Sequence, residues 1–160
     1  MGITLGHKSY ISYSGYGYSQ RRCEDITSWF IKTFYPRHKL DVDIIHRGLL
    51  REGALGYCDC AGVYSRPREF VIELHTNMDK KTYTKTLLHE LFHMMQWING
   101  SLTSKKCRMY FKNEPVEKYE YEDQPHEIAA RAAEEFLYDR YVTKDKLTQS
   151  IRQEFPFPVL

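Results

Sequence analysis

Little in this 160-residue chain points to a cross-linked scaffold, a membrane span or a nucleic-acid binder. Its four cysteines, Cys23, Cys58, Cys60 and Cys107, are too few for the disulfide framework of a small secreted domain. Cys58-Asp59-Cys60 has no second cysteine or Cys–His pair to complete a four-ligand structural zinc knot, so all four read as reduced thiols. No apolar run approaches the roughly 20 residues of a membrane helix, and the first residues lack the apolar stretch of a secretory leader. A formal charge of +2 is too mild for a chain that must neutralise many phosphates. Lys80-Lys81 and Lys105-Lys106 read as solvated surface. What remains is a cytoplasmic globular protein of one domain, long enough to bury its own core, with no nucleic-acid or membrane partner expected.

What the chain does contain is His89-Glu90-Leu91-Phe92-His93, an HExxH pentapeptide. Residues i and i+4 leave a helix on the same face, so two imidazoles spaced this way can reach one Zn²⁺. Glu90, next to the first histidine, can accept a proton from a water on that ion without being a ligand. Chance alone produces the pattern in about one shuffled chain in forty of this composition, so the surroundings must carry the case. They do. Asp79 suits an N-cap, Tyr83, Leu87, Leu91, Met94, Met95 and Ile98 recur at helical spacing, and Gly100 suits a stop. From Leu87 to Trp97 the neighbours of the pair are almost wholly apolar, and burying two histidines and a carboxylate there is costly unless a metal or hydrogen bonds satisfy them.

Around this helix the pattern predicts a compact α+β domain. Residues 1–20 form a Tyr/Ser/Gly-rich arm, expected to pack loosely on the domain, and residues 21–160 form the domain proper. Arg21 to Tyr35 reads as a helix ended by Pro36. Leu40–Ile45 and Glu69–Leu74 alternate as strands, with a shorter strand near Tyr57–Tyr64 inside a glycine-rich stretch. Ser101–Gln124 shows no strong period. Pro125 opens a last helix to about Tyr141, with Ile128, Ala132, Phe136 and, less regularly, Ala129, Ala133 and Leu137 facing inward, and the Phe155–Pro158 tail cannot continue it. His46 and His75 near strand ends, and His7 and His38 in loops, read as ordinary polar residues.

Helix, strands, HExxH helix, helix is the order of a minimal zincin core. Over roughly Arg21–Tyr141 the chain resembles small zincin-type metallopeptidases, closest in layout to the SprT-like and ImmA/IrrE-type groups. The resemblance implies a small mixed or antiparallel sheet of about three strands packed against an N-terminal, a motif and a C-terminal helix. It places Phe70–Leu74 beside the substrate cleft as the edge to which a peptide adds. It also implies a third zinc ligand, since a catalytic site takes three protein ligands and keeps one position open. The metzincin extension is absent after His93. A SprT-like pattern would use His126, whereas Gln124-Pro125-His126-Glu127-Ile128-Ala129-Ala130 resembles the gluzincin Pro-x-Glu-x-x-Ala segment and carries Glu127 into that role. Glu127 is favoured and His126 is its rival. Glu134, seven residues on, could orient a histidine, although a solvated face accounts for Glu134 and Glu135 more simply. Tyr119 and Tyr121 could reach an oxyanion, but thirteen tyrosines make a structural role the simpler reading for both.

The function expected on these grounds is zinc-dependent hydrolysis of a peptide or protein substrate. His89, His93 and Glu127 hold one Zn²⁺ per chain and Glu90 acts as general base. The alternative is a non-catalytic zincin fold that binds a protein partner, which would have no need of an acid at position 90.

Overall fold

A computed structural model describes residues 1–5, 9–146 and 156. The expectations for His7 and for the tail at Phe155 and Phe157 lie outside the described residues. The fold is α+β, with eight strands in two sheets and three α-helices among the described residues. Strands β1 (Gly2–Leu5), β2 (Ser9–Gly15), β3 (Asp41–Arg47), β4 (Gly56–Cys60) and β5 (Glu69–His75) make one mixed sheet in the order β1-β2-β3-β5-β4. The three inner strands run parallel, while β1 and β4 pair antiparallel at the two edges.

Helices α1 (Gln20–Phe34) and α2 (Lys80–Ile98) cover one face of this sheet. The period-two alternation decides which: Val42, Ile44, Phe70, Ile72 and Leu74 are buried, as is His46 on the same face, and the residues that alternate with them are half-covered or exposed. They meet Ile26, Phe30 and Phe34 of α1 and Leu87, Leu88 and Leu91 of α2 in one core. Each such side chain contributes about 1.5–3 kcal/mol. Both helices begin at side-chain caps. Ser19 Oγ accepts from the Arg22 amide at 3.2 Å, and Asp79 Oδ1 accepts from the Thr82 amide at 2.8 Å.

Four expectations change. The sheet has five strands rather than about three, because the Tyr/Ser/Gly-rich opening is not a loose arm but supplies β1 and β2. Ser9, Ile11 and Tyr13 alternate into the core, and Ser12 donates to Asp43 Oδ1 at 3.0 Å on the next strand. Phe70–Leu74 is not an edge, because β3 and β4 flank it on both sides; Gly56–Cys60 is the edge. Residues 102–115, which carry no clear period, form a second sheet of β6 (Leu102–Lys105), β7 (Arg108–Phe111) and β8 (Glu114–Pro115). Its two turns put Lys106, Cys107, Lys112 and Asn113 at positive φ, the conformation of tight hairpins, with no Asn-Gly or Asp-Gly pair to announce them. Finally, helix α3 (Pro125–Val142) turns Ala133 and Leu137 inward as expected, together with His126, Glu127 and Ala130, but Ile128 and Ala132 face out and Phe136 is half-covered. Among the described residues, no helix is long and apolar enough to cross a membrane.

Candidate metal centre

Helix α2 carries His89, Glu90 and His93 past the start of α3, and the two helices pack closely, the small side chains of Ala130 and Ala133 being left with no exposed surface. Pro125 occupies the first turn of α3, where its missing N–H costs nothing. Glu127 follows in that same turn, where the unpaired amides of the helix start favour a negative charge. Its carboxylate meets both motif histidines, with Oε2 at 3.1 Å from His89 Nε2 and Oε1 at 3.0 Å from His93 Nε2. One ligand atom from each of His89, His93 and Glu127 lies within 4.8 Å of the others, so this cluster could hold a metal ion. Four-coordinate Zn²⁺ with bonds of about 2.0–2.1 Å separates its ligands by about 3.3 Å. The donor set suits such an ion, and the two nitrogen–oxygen separations of 3.1 and 3.0 Å are close to that value.

The remote ring nitrogens sharpen the fit. Gln96 Nε2 donates to the His126 carbonyl at 3.0 Å, which leaves Gln96 Oε1 to accept from His93 Nδ1 at 2.7 Å. Glu134 Oε2 accepts from His89 Nδ1 at 3.3 Å. With both protons held on Nδ1, each neutral imidazole aims the bare lone pair of Nε2 at a carboxylate oxygen. That contact is repulsive unless a cation, either a proton or a metal ion, lies between.

The acid–base shifts express the same demand. Burial disfavours charge on His89, but Glu127 and Glu134 overcome it and raise its pKa to about 10. His93, also buried, is raised by Glu127 as well. Burial would raise the Glu127 carboxyl, yet the hydrogen bonds to His89 and His93 hold it well below the usual carboxylate range. Glu90 goes the other way. It is 5 % exposed, and burial raises its pKa despite the nearby histidines. Edge strand β4 presses on it: a Cβ added at Gly56 would stand 2.8 Å from Glu90 Oε1 and 3.0 Å from its Cγ.

His126 is close to the cluster without completing it. Its Nε2 is 3.7 Å from Glu127 Oε1, and it is not one of the three residues whose ligand atoms converge. Burial and the neighbouring His93 lower its pKa to about 4. Glu135 pairs with Lys85 at the surface, as a solvated face would, whereas Glu134 turns in to His89. Gln96 is an orienting group that the motif does not announce, its signal being that it breaks the apolar run between His93 and Ile98. Tyr121 borders the cavity that Glu90, His93, His126 and Glu127 open into, and burial and the Glu127 charge raise its pKa. Tyr119 is not among the residues lining that cavity. His46 and His75 sit elsewhere, His46 buried against Tyr83 and His75 Nδ1 accepting from the Leu49 amide. Comparison with protein-family models, with curated proteins and with solved structures finds no match.

Proposed function

We propose that this protein is a zinc-dependent peptidase of zincin type, with His89, His93 and Glu127 as ligands and Glu90 as general base. One observation carries the reading. Two histidines, their tautomers held by Gln96 and Glu134, aim Nε2 at a single buried carboxylate, beside a second buried carboxylate that lines an open cavity. When bound there, Zn²⁺ supplies a Lewis acid that polarises an amide carbonyl and acidifies a water molecule. Glu90 takes the proton of the attacking water and returns it to the leaving amine nitrogen. Glu134 and Gln96 keep the ligand nitrogens aimed, and the walls of the cleft exclude bulk water from Glu90 and His93, each 5 % exposed.

The substrate backbone adds to β4. Among the described residues that strand pairs with β5 alone, so its outer amides and carbonyls offer a ladder to an extended chain beside Glu90. The helix, mixed sheet, motif helix and ligand helix follow the order of a minimal zincin core, which supports the same reading. The test uses zinc-loaded protein and an unfolded protein such as casein. Wild type is expected to cut it, and Glu90→Gln, with equal zinc and an unchanged melting temperature, is expected to lose about 10²–10⁴-fold of that activity. Equal cutting by both would refute the mechanism.

A further inference from the structure

A second cavity, of about 650 Å³, opens at the starting ends of the parallel strands β2, β3 and β5, and it shares no lining residue with the cleft beside the cluster. Arg37 and Lys39, in the connection after α1, and Arg66 and Arg68, in the connection before β5, line it together with Asp41 and Glu69. Four cations against two carboxylates leave an excess of two positive charges. On the same sheet Arg47 is held by Glu52 and Glu73, each at 2.9 Å. Among the described residues none of the four cations at the cavity makes such an ion pair. Backbone bonds fix both basic segments. Ser9 Oγ accepts from the Leu40 amide at 3.1 Å and donates to the His38 carbonyl at 2.9 Å. The Tyr10 amide donates to the Leu40 carbonyl at 2.8 Å, and the Asp41 amide to the Arg68 carbonyl at 2.9 Å. The mouth is therefore in position before any ligand arrives, which lowers the entropy lost on binding.

We propose that this cavity binds an acidic segment of the protein that enters the cleft, its carboxylates seated on Arg37, Lys39, Arg66 and Arg68. The binding stands by itself, and its role in cleavage rests on the peptidase reading. Each guanidinium offers a carboxylate two parallel N–H donors. Asp41 and Glu69 decide between polyanions. They are register partners on β3 and β5, and two carboxylates side by side repel a continuous phosphate backbone. A peptide brings amide N–H donors as well as carboxylates, so it answers both signs. The two cavities also adjoin. Ala61 lines the cleft, and its amide donates at 2.8 Å to the carbonyl of Glu69, which lines the second cavity. From Gly56, beside Glu90, to Ala61 is roughly 17 Å of extended chain. The acidic segment therefore sits about five or more residues from the bond that is cut.

Binding and cleavage test this separately. Fluorophore-labelled hexaglutamate and hexaglutamine peptides are titrated into zinc-loaded Glu90→Gln protein at low salt. Hexaglutamate should bind about tenfold tighter, which two or three exposed charge contacts supply together, and added salt should shrink the advantage. Arg37→Glu with Arg66→Glu, both at exposed positions, should abolish it. Arg37→Gln with Arg66→Gln takes their place if the reversed pair fails to fold. Lys105→Glu with Lys106→Glu, the same charge change at the exposed β6–β7 turn, should leave the advantage intact. In turnover, a peptide that wild type cuts should show a lower KM and the same kcat when hexaglutamate is appended about six residues from the cut, and Arg37→Glu with Arg66→Glu should cancel the lower KM. Equal binding of the two peptides, equal losses in both charge-reversed pairs, or tighter binding of a deoxythymidine dodecamer that the Arg37 and Arg66 changes abolish would overturn the acidic-segment assignment and leave the peptidase reading standing. Hexaglutamate binding as expected in a wild type that cuts no peptide would overturn the peptidase reading instead.

Discussion

Buried histidines occur in two regions of the molecule, and they are satisfied differently. At the end of β3, His46 contacts the Ser14 carbonyl through Nδ1 and the Tyr83 hydroxyl through Nε2, both at 2.9 Å, while Tyr18 stacks on the ring at 3.5 Å. Neutral neighbours satisfy both nitrogens, and burial lowers the pKa, so the ring stays uncharged. On α2, His89 and His93 each give one nitrogen to an orienting oxygen and turn the other toward the same carboxylate. The first arrangement is complete as it stands, and the second calls for a cation. Burial alone does not separate a structural histidine from a ligand; what the second nitrogen faces does.

The largest effect that should separate the two regions is on metal affinity. His93→Ala and Glu127→Ala should each weaken zinc binding by more than about 100-fold, beyond the roughly 10–100-fold expected for groups that only orient a ligand. His46→Ala should leave zinc affinity unchanged and cost about 1–3 kcal/mol of stability through the partners it strands. Chelator competition and thermal melts on the three variants check both halves, and loss of zinc in His46→Ala would erase the distinction. Next come the orienting groups. Gln96→Ala and Glu134→Ala should each fall within the 10–100-fold range in zinc affinity, and an unaltered affinity in both would show that they orient nothing.

Much of this contrast was legible in the sequence, and its limits are physical. The pentapeptide, the Asp79 cap and the apolar repeat announce α2, because a long helix writes its period and its ends locally. Glu127 could be named only through a resemblance, since the contact between α2 and α3 joins residues 38 positions apart. Glu134 was first read as solvated for the same reason: its partner, His89, lies 45 positions away. The inward face of α3 is only partly legible: Ala133 and Leu137 face in as expected, but the rest of the packing surface is Ala130 and two polar residues, so hydrophobic spacing points to Ile128 and Ala132 instead. β2 was hidden by composition: serines alternate with an isoleucine and two tyrosines, and Ser9 is itself buried. The placing of β4 outside β5 depends on strand pairing, which no single segment encodes.

Smaller effects refine the comparison. Gly56→Ala should displace Glu90 without touching the ligands, reducing kcat while zinc affinity stays at the wild-type value. Equal losses in both would mean that the added methyl disturbs the whole cluster. The smallest effect is on pH dependence. His46 has a lowered pKa in the folded state, so below about 6.5 the unfolded chain takes up a proton that the folded chain refuses. Its contribution to stability is therefore present above pH 6.5 and lost as pH falls toward the folded-state value. Melts of zinc-loaded protein between pH 7.5 and 5 should decline less steeply in His46→Asn than in wild type, and matching slopes would contradict a neutral, satisfied His46.

The most direct test of the α2–α3 cluster as a metal centre is X-ray absorption at the zinc edge on the purified protein, read together with metal content. One zinc per chain is expected, surrounded only by nitrogen and oxygen at about 2.0–2.1 Å, with this signal lost in Glu127→Ala. A sulfur shell at about 2.3 Å, which would move the ion to Cys58 or Cys60, or the lack of stoichiometric zinc, would contradict it.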